Sequence, residues 1–163
     1  MIEPAQYLDY EMAQEIMDPL ALEWAKLFAE HWQETERYLG ARLAPDQASL
    51  LARQEHGNWI TFAVRLQSSR ELVGYLMFHV GSSMQVQGMK VAFDEGFFLT
   101  KKHRKGVLAL RLLRYAEQGL RAARVHYMGV SSKWLVGGTK VEKLYKRAGF
   151  APVAVVFTKP LKG

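Results

Sequence analysis

The segment with the clearest chemical meaning is a basic, glycine-containing turn in the second half of the chain. It reads Arg104-Lys105-Gly106-Val107-Leu108-Ala109 and separates a strand-like stretch from a helix-like one. The first N–H groups of a helix lack partners within the helix and the dipole is positive there, so a phosphate can satisfy them. The turn lacks the Lys-Ser/Thr pair of a Walker loop and the three glycines of a dinucleotide fold. It therefore predicts an anion site of another kind, or a plain structural turn.

A second group of residues could move protons. Asp94 and Glu95 lie in the strand-like stretch before the turn, and Tyr145 lies in a later helix-like segment. Adjacent residues of a strand face opposite sides, so only one of the two carboxylates is expected to point into a cleft. The chain has no cysteine, which excludes disulfides and a cysteine nucleophile, and its histidines show no spacing typical of metal ligands. We predict acid–base chemistry without a metal.

Composition and charge limit the class of protein. With 163 residues, 49% of them hydrophobic, the chain has the size of one compact domain, and we expect residues 1–163 to form a single domain. The formal charge of +6 favours anionic partners. Residues 101–124 concentrate Lys and Arg against a lone Glu117, which suits a nucleotide, a nucleic acid or simply a solvated helix face. No segment is typical of a signal peptide or a membrane span, so we expect a soluble, cytoplasmic protein.

The first half of the chain predicts two helices followed by three strands. Apolar residues recur at helical spacing in the helices, and aromatic and β-branched residues are dense in the strands. The predicted helices cover residues 19–39, with Asp18 as N-cap and Gly40 as the stop, and residues 46–57; the predicted strands cover residues 59–66, 72–80 and 89–100, the first two joined as a hairpin.

The second half alternates helices and strands. The sequence predicts helices over residues 107–122 and 139–148, the second closed by Gly149 as its C′ residue. A short strand over residues 125–130 and a final strand over residues 150–158 follow these helices in turn. An antiparallel front half and an alternating second half predict a mixed sheet.

Two segments resemble the signature regions of the GCN5-related N-acetyltransferase superfamily. They are Phe97-Phe98-Leu99-Thr100-Lys101-Lys102-His103-Arg104-Lys105-Gly106-Val107-Leu108-Ala109-Leu110-Arg111-Leu112-Leu113 and Leu144-Tyr145-Lys146-Arg147-Ala148-Gly149-Phe150. The segment Glu30-His31-Trp32-Gln33-Glu34 is most similar to members carried by phages and prophages. If Arg104 is the first residue of the family's turn, Val107 occupies its glycine position and Gly106 lies one residue early.

The resemblance implies a fold and a cofactor. The fold would be a single α/β domain, with a mixed, mostly antiparallel central sheet of about six strands, helices on both faces and a splayed cleft. The cofactor would be acetyl-coenzyme A, with its pantetheine arm beside the strand and its pyrophosphate at the turn. The implied cofactor-binding residues are Phe98, Leu99, Thr100, Arg104, Lys105, Gly106, Val107, Leu108, Ala109 and Ser132, with Ser131 adjacent.

The resemblance also implies transfer of the acetyl group to an amine by direct attack in a ternary complex. Tyr145 occupies the position of the family's proton donor to the thiolate. The strand before the turn often carries a carboxylate base, for which Glu95 is favoured and Asp94 is the alternative. Asp94, together with His31 and Trp32, is predicted to contact the acceptor.

The acceptor is not specified by the sequence, and it could be a small-molecule or a macromolecular amine. A second reading keeps the fold and makes the acceptor a nucleic acid, such as a base amine of DNA or an aminoacyl-tRNA. A third reading is a coenzyme A-binding regulatory protein without turnover. We expect a monomer or a homodimer with no membrane partner.

Overall fold

A computed structural model describes residues 1–35, 42–132 and 138–154, apart from the side chains of residues 138 and 139. In this part of the chain, no helix is long and apolar enough to cross a membrane. The strands are β1 (Ala5–Tyr7), β2 (Tyr10–Glu15), β3 (Trp59–Leu66), β4 (Leu72–Ser82), β5 (Lys90–Leu99) and β6 (Tyr127–Gly129); the helices are α1 (Leu22–Thr35), α2 (Gln47–Glu55), α3 (Leu108–Ala122) and α4 (Gly138–Arg147), with a 3₁₀ turn at Lys101–His103.

The described strands form one six-stranded sheet in the order β1-β2-β3-β4-β5-β6. All neighbouring strands are antiparallel except β5 and β6, which run parallel because α3 crosses over between them. The mixed, mostly antiparallel sheet predicted from the sequence is confirmed. Strand β3 has the predicted bounds, and β4, β5 and α3 lie within two residues of theirs.

Helices cover both faces of the sheet because β4 is apolar on both sides. Leu76 and Phe78 point into a core shared with α3 and α4. Tyr75 and Met77, which alternate with them, point into a second core that contains Trp24 and other residues of α1. The layer formed by α3 and α4 and the layer formed by α1 therefore lie on opposite faces of the same strands.

The ends of α2 and α4 follow the capping signals of the sequence. The carboxylate of Asp46 accepts the Ser49 N–H at 3.0 Å at the start of α2. Gly149 has a φ of +96°, and the N–H of Phe150 donates to the carbonyl of Tyr145 at 3.0 Å. This is a Schellman C-cap, so the prediction of Gly149 as the C′ residue is confirmed. The cap fixes the chain direction immediately after Tyr145.

Two predicted boundaries are wrong in the described residues. Helix α1 begins at Leu22 rather than at residue 19, because the Asp18 carboxylate caps a preceding turn by accepting the Leu20 N–H at 3.0 Å. The predicted end of this helix lies partly outside the described residues. Residues 150–154 are not in a strand, since the chain leaves α4 through Gly149 and reaches Pro152, which has no N–H to donate. Residues 155–158 of that predicted strand lie outside the described residues.

The sequence analysis missed the hairpin of β1 and β2. Its pairing joins Tyr7 with Tyr10 around a tight turn, and β2 then pairs along β3 from Tyr10 opposite Leu66. Strand β2 is rich in Glu and Gln, which form strands poorly, and its turn has no glycine. Only pairing with β3 makes this segment a strand.

Candidate functional site

The central feature of the site is a cavity of about 370 Å³ where β5 and β6 separate. Strand β6 pairs with β5 only as far as Phe93, opposite Gly129, so the edge of β5 beyond Phe93 faces the cavity. The family resemblance implied a splayed cleft in this sheet. The lining is apolar at Gly96, Phe97, Phe98, Leu99, Ala109, Val141 and Leu144, and polar at His31, Glu34, Thr35, Asp94, Glu95, Arg104, Ser131, Lys140 and Tyr145.

A β-bulge brings two adjacent carboxylates to this cavity. On β4, Met77 pairs with Gly96 and Phe78 pairs with Asp94, so Glu95 is an extra residue without an opposite partner. A bulge interrupts the alternation of side chains along a strand. Asp94 and Glu95 both line the cavity, and strand alternation does not choose between them. This corrects the expectation that only one of the two would face the cleft.

Ser131 joins one of these carboxylates to the predicted proton donor. Asp94 accepts the backbone N–H of Ser131 at 2.7 Å and its hydroxyl at 3.3 Å. Tyr145 donates its hydroxyl to the carbonyl oxygen of the same Ser131 at 2.9 Å. One residue thus holds a carboxylate and a phenol on the same side of the cavity.

Burial changes the acidity of both groups. Desolvation raises the pKa of Asp94 from 3.8 to about 6, although its hydrogen bonds to Ser131 act in the opposite direction. Burial, followed by the charge of Asp94, raises the pKa of Tyr145 above its ordinary value. Asp94 can therefore take up and release a proton near neutral pH, whereas Tyr145 stays protonated there and can serve as a proton donor.

The α1 side of the cavity is an aromatic wall around His31. The His31 ring stacks on Phe98 with centroids 4.9 Å apart, and its Nδ1 lies 2.6 Å from the Tyr75 hydroxyl. Burial raises the pKa of Tyr75, so this hydroxyl stays protonated and can donate to Nδ1. His31 is thereby oriented by a side chain from β4 that the sequence analysis did not single out.

Arg104 points toward this wall. Its Nε donates to the carbonyl of Leu99 at 2.6 Å, its terminal nitrogens form a bidentate pair with Glu34, and its guanidinium lies 5.0 Å from the centroid of the Phe98 ring. The pair with Arg104 is the main cause of a lowered pKa at Glu34. The Arg104 side chain thus connects β5 to α1, which leaves its backbone for the predicted anion contact.

The turn itself retains the features of an anion site. Gly106 has a φ of +68°, and no heavy atom lies within 4 Å of where its Cβ would be. Val107 precedes α3 without a side-chain cap, and the first backbone bond of the helix joins the Arg111 N–H to the Val107 carbonyl. The N–H groups that precede Arg111 in the first turn therefore lack partners within the helix, and an anion could satisfy them.

The structure brings together most of the residues predicted for the site. Tyr145, Glu95, Asp94, His31, Phe98, Leu99, Arg104 and Ala109 all line the cavity. Trp32 and Ser132 do not line it, and neither do Thr100, Lys105, Gly106, Val107 and Leu108 of the strand end and turn. Thr100 instead pairs with β4, through its N–H to the Val73 carbonyl at 2.9 Å. The described residues contain no group of three or more His, Asp or Glu side chains that could hold a metal ion.

Several lining residues were missed by the sequence analysis. Glu34 lies three residues after His31, so the two share a face of α1, and this spacing was a usable signal. Val141 lies four residues before Tyr145 on α4 and could have been found in the same way, whereas Leu144 is adjacent to Tyr145 and offers no such spacing. Tyr75 had no such signal, because it is one apolar residue within a strand that is buried throughout.

Known proteins resemble this chain in three-dimensional structure rather than in sequence. No protein-family model and no curated protein sequence matches the chain. An aminoglycoside acetyltransferase from an uncultured soil metagenomic sample, in complex with trehalose, aligns with a TM-score of 0.74 at 14% identity, over 95% of this chain and 98% of that one. The ribosomal-protein-alanine N-acetyltransferase of Brucella melitensis biovar Abortus 2308 aligns with a TM-score of 0.70 at 16% identity, over 94% and 99%.

A third solved structure contains a coenzyme A derivative. It is AAC(6′)-Iy in complex with the bisubstrate analogue CoA-S-monomethyl-acetylneamine, with a TM-score of 0.66 and 16% identity over 94% of this chain and 99% of that one. At these identities the likeness establishes the fold. The chain shares the fold of these acetyltransferases along almost its whole length, as the sequence resemblance implied.

Proposed function

We propose that this protein is an acetyl-coenzyme A-dependent N-acetyltransferase that transfers the acetyl group directly to an amine. The observation that carries the proposal is the arrangement at Ser131, which holds the Asp94 carboxylate and the Tyr145 hydroxyl at one cavity. Direct acetyl transfer needs a proton acceptor for the amine and a proton donor for the leaving thiolate, and these two groups supply both.

The residues present fit acetyl-coenzyme A. The uncapped start of α3 and the open side of Gly106 suit a pyrophosphate, and the edge of β5 from Phe98 onward suits the amide groups of a pantetheine arm. The apolar lining, which includes Phe97 and Leu144, suits the remainder of the arm. When bound, this molecule supplies an acetyl thioester, so the protein needs no nucleophile of its own.

Side chains of the protein accept and donate the protons that the reaction requires. Asp94 accepts a proton from the ammonium form of the acceptor, directly or through water, and leaves a neutral amine that can attack. Tyr145 gives its hydroxyl proton to the departing sulfur, and the second proton, which the acylated nitrogen loses, returns to the tyrosine oxygen through water. Glu95, the base favoured from the sequence, lines the same cavity and is the alternative acceptor.

Charge supports a cationic acceptor. Three carboxylates, Glu34, Asp94 and Glu95, and two cations, Arg104 and Lys140, line the cavity. Because Glu34 is paired with Arg104, Asp94 and Glu95 are the carboxylates that can attract an ammonium group. The structurally similar proteins are named for aminoglycosides and for the alanine of a ribosomal protein, which makes both classes reasonable first choices for this chain. The resemblance to phage-encoded members and a cytoplasmic location remain predictions.

Two measurements test the proposal. Saturating acetyl-coenzyme A should raise the melting temperature, since a ligand specific for the native state stabilises it. Release of free thiol should appear when aminoglycosides, polyamines or peptides with free N-termini are added. No thermal shift at high ligand excess would refute cofactor binding. A shift without thiol release for any amine would instead support the non-catalytic, coenzyme A-binding alternative.

A further inference from the structure

The charge of this protein is strongly segregated along the chain. Residues 1–99 contain 7 Lys and Arg against 14 Asp and Glu, whereas residues 100–163 contain 15 against 2. The first part therefore has a net charge of −7 and the second a net charge of +13, which together give the overall +6. Such an imbalance is larger than one bound cofactor requires.

The fold turns this segregation into a basic face. Helices α3 and α4 pack on one side of the sheet, and α1 packs on the other. Their apolar residues point into the core and their cations point to solvent. The exposed cations of this α3–α4 face are Arg111, Arg114, Arg121 and Arg124 at α3, and Lys143, Lys146 and Arg147 on α4.

Few of these cations are used inside the described part of the protein. Arg121 pairs with Glu117 four residues earlier, and Arg111 lies 5.1 Å from the centroid of the Tyr7 ring. Within the described residues, no ion pair involves Arg114, Arg124 or the cations of α4. The mutual repulsion of these groups is relieved when an anionic partner covers them.

The far end of this face is out of reach of a pyrophosphate at the turn. Helix α3 has 15 residues and begins at the turn, so its C-terminal end is about 22 Å away. There the ends of α3 and α4 meet around a groove of about 250 Å³, which Arg121 and Gly149 both line. Lys146 and Arg147 immediately precede this groove on α4, and Arg124 follows α3.

We infer that the α3–α4 face binds the phosphate backbone of double-stranded DNA, at a site separate from the cofactor turn. A row of cations about 20 Å long matches the closely spaced phosphates of a duplex. The two tyrosines of α3 and α4, Tyr115 and Tyr145, are buried, so within the described residues these two helices themselves present no exposed aromatic ring for base stacking. Arg and Lys can donate to the phosphates of either kind of duplex, so the arm of the test with duplex RNA separates DNA from RNA.

The test compares two charge-matched variants with the wild-type protein. The first carries Lys143→Gln, Lys146→Gln and Arg147→Gln on α4; the control carries Lys26→Gln, Arg42→Gln and Arg53→Gln, which are exposed cations on or near α1 and α2. Fluorescence anisotropy with a labelled DNA duplex of about 20 base pairs is measured over a range of salt. We expect about tenfold weaker binding for the α4 variant. We also expect the slope of the logarithm of the binding constant against the logarithm of the salt concentration to be smaller in magnitude by about 3, because each phosphate contact contributes nearly one unit.

Other outcomes overturn the inference. They are wild-type affinity in the α4 variant, equal loss in the control, or tighter binding of single-stranded DNA or duplex RNA than of duplex DNA. Saturating acetyl-coenzyme A should leave DNA affinity within about twofold, since the far end of the α3–α4 face lies about 20 Å from the turn. Complete displacement would place the DNA in the cofactor site instead. The inference is independent of the proposed enzyme activity, because DNA affinity is measured without the acetyl transfer reaction.

Discussion

The guanidinium of Arg104 holds the carboxylate of Glu34 through two parallel hydrogen bonds of 2.5 and 2.8 Å. Arg104 begins the turn predicted to receive the pyrophosphate. Glu34 lies on α1, beside the aromatic wall around His31, which is predicted to contact the acceptor. A bidentate pair of this kind has a defined geometry. It mechanically connects the two halves of the proposed site, although they are 70 residues apart in sequence.

Removing this connection should affect binding more than stability. Glu34→Gln keeps the size of the side chain but loses the charge, and Arg104 is then free to move away from Phe98. The pair is partly exposed, so we expect a stability loss of about 1 kcal/mol or less, with a several-fold increase in the KM of acetyl-coenzyme A. Glu30→Gln, at an exposed position one turn earlier on α1, is the matched control.

The stability effect of Glu34→Gln should depend on pH in a defined direction. The pKa of Glu34 is lowered in the folded protein from 4.5, so its stabilising contribution is fully present above about pH 4.5. It is lost as the pH falls through the lower, folded value. Melting temperatures measured from pH 3.5 to 7 should therefore differ between variant and wild type at the upper end and converge at the lower end.

The pH dependence of the reaction should identify the base. Activity should rise as Asp94 ionises, through an apparent pKa of about 6, and this limb should disappear in Asp94→Asn. Glu95→Gln should retain the limb. If the limb is lost in Glu95→Gln and kept in Asp94→Asn, then Glu95 is the base, as favoured from the sequence.

Ionisation of Asp94 should change the free energy of unfolding in the opposite direction to ionisation of Glu34. Its folded pKa of about 6 lies above its ordinary value of 3.8, so the folded state holds the proton more tightly. The free energy of unfolding should therefore fall as the pH rises through this window. Asp94→Asn should flatten this decline and melt at or above the wild-type temperature at pH 7.5, which thermal denaturation can measure.

Removing the Tyr145 hydroxyl should slow the chemical step. Tyr145→Phe keeps the ring, which stacks 6.4 Å from Phe97, and loses the bond to Ser131. We expect kcat to fall by about 100-fold with little change in the thermal shift caused by acetyl-coenzyme A. Tyr115→Phe, which removes another largely buried hydroxyl that donates to the Glu3 carbonyl, should leave kcat within about twofold. Unchanged kcat in Tyr145→Phe would remove this residue from the mechanism.

Substitution at Gly106 should separate backbone strain from anion binding. Gly106 and Gly88 have φ values of +68° and +76°, and neither has a heavy atom within 4 Å of where a Cβ would be. Gly106→Ala and Gly88→Ala should therefore each cost about 1 to 2 kcal/mol of stability through the left-handed conformation. Only Gly106→Ala should also weaken acetyl-coenzyme A binding, as measured by calorimetry. Equal affinity in the two variants would place the pyrophosphate elsewhere.

Local signals in the sequence were sufficient for the elements that carry the site. The apolar spacing of α3, the dense β-branched and aromatic residues of β3 and the glycine after α4 each depend on contacts within a few residues or on a simple period. The strand, turn and helix around Gly106 were predicted for the same reason. The position of Tyr145 one turn before its C-cap also followed from the sequence.

Contacts between segments distant in sequence determine the side-chain arrangement of the cavity and the existence of strand β2. The direction of the Arg104 side chain depends on Glu34, which lies on another layer of the fold, and no periodicity in either segment records that pairing. The presence of both Asp94 and Glu95 at the cavity depends on a bulge defined by the register against β4. The polar strand β2 exists because β3 supplies its hydrogen-bond partners. The sequence by itself thus determined most of the elements and predicted an anion site, whereas pairing between distant segments determined which side chains share the cavity.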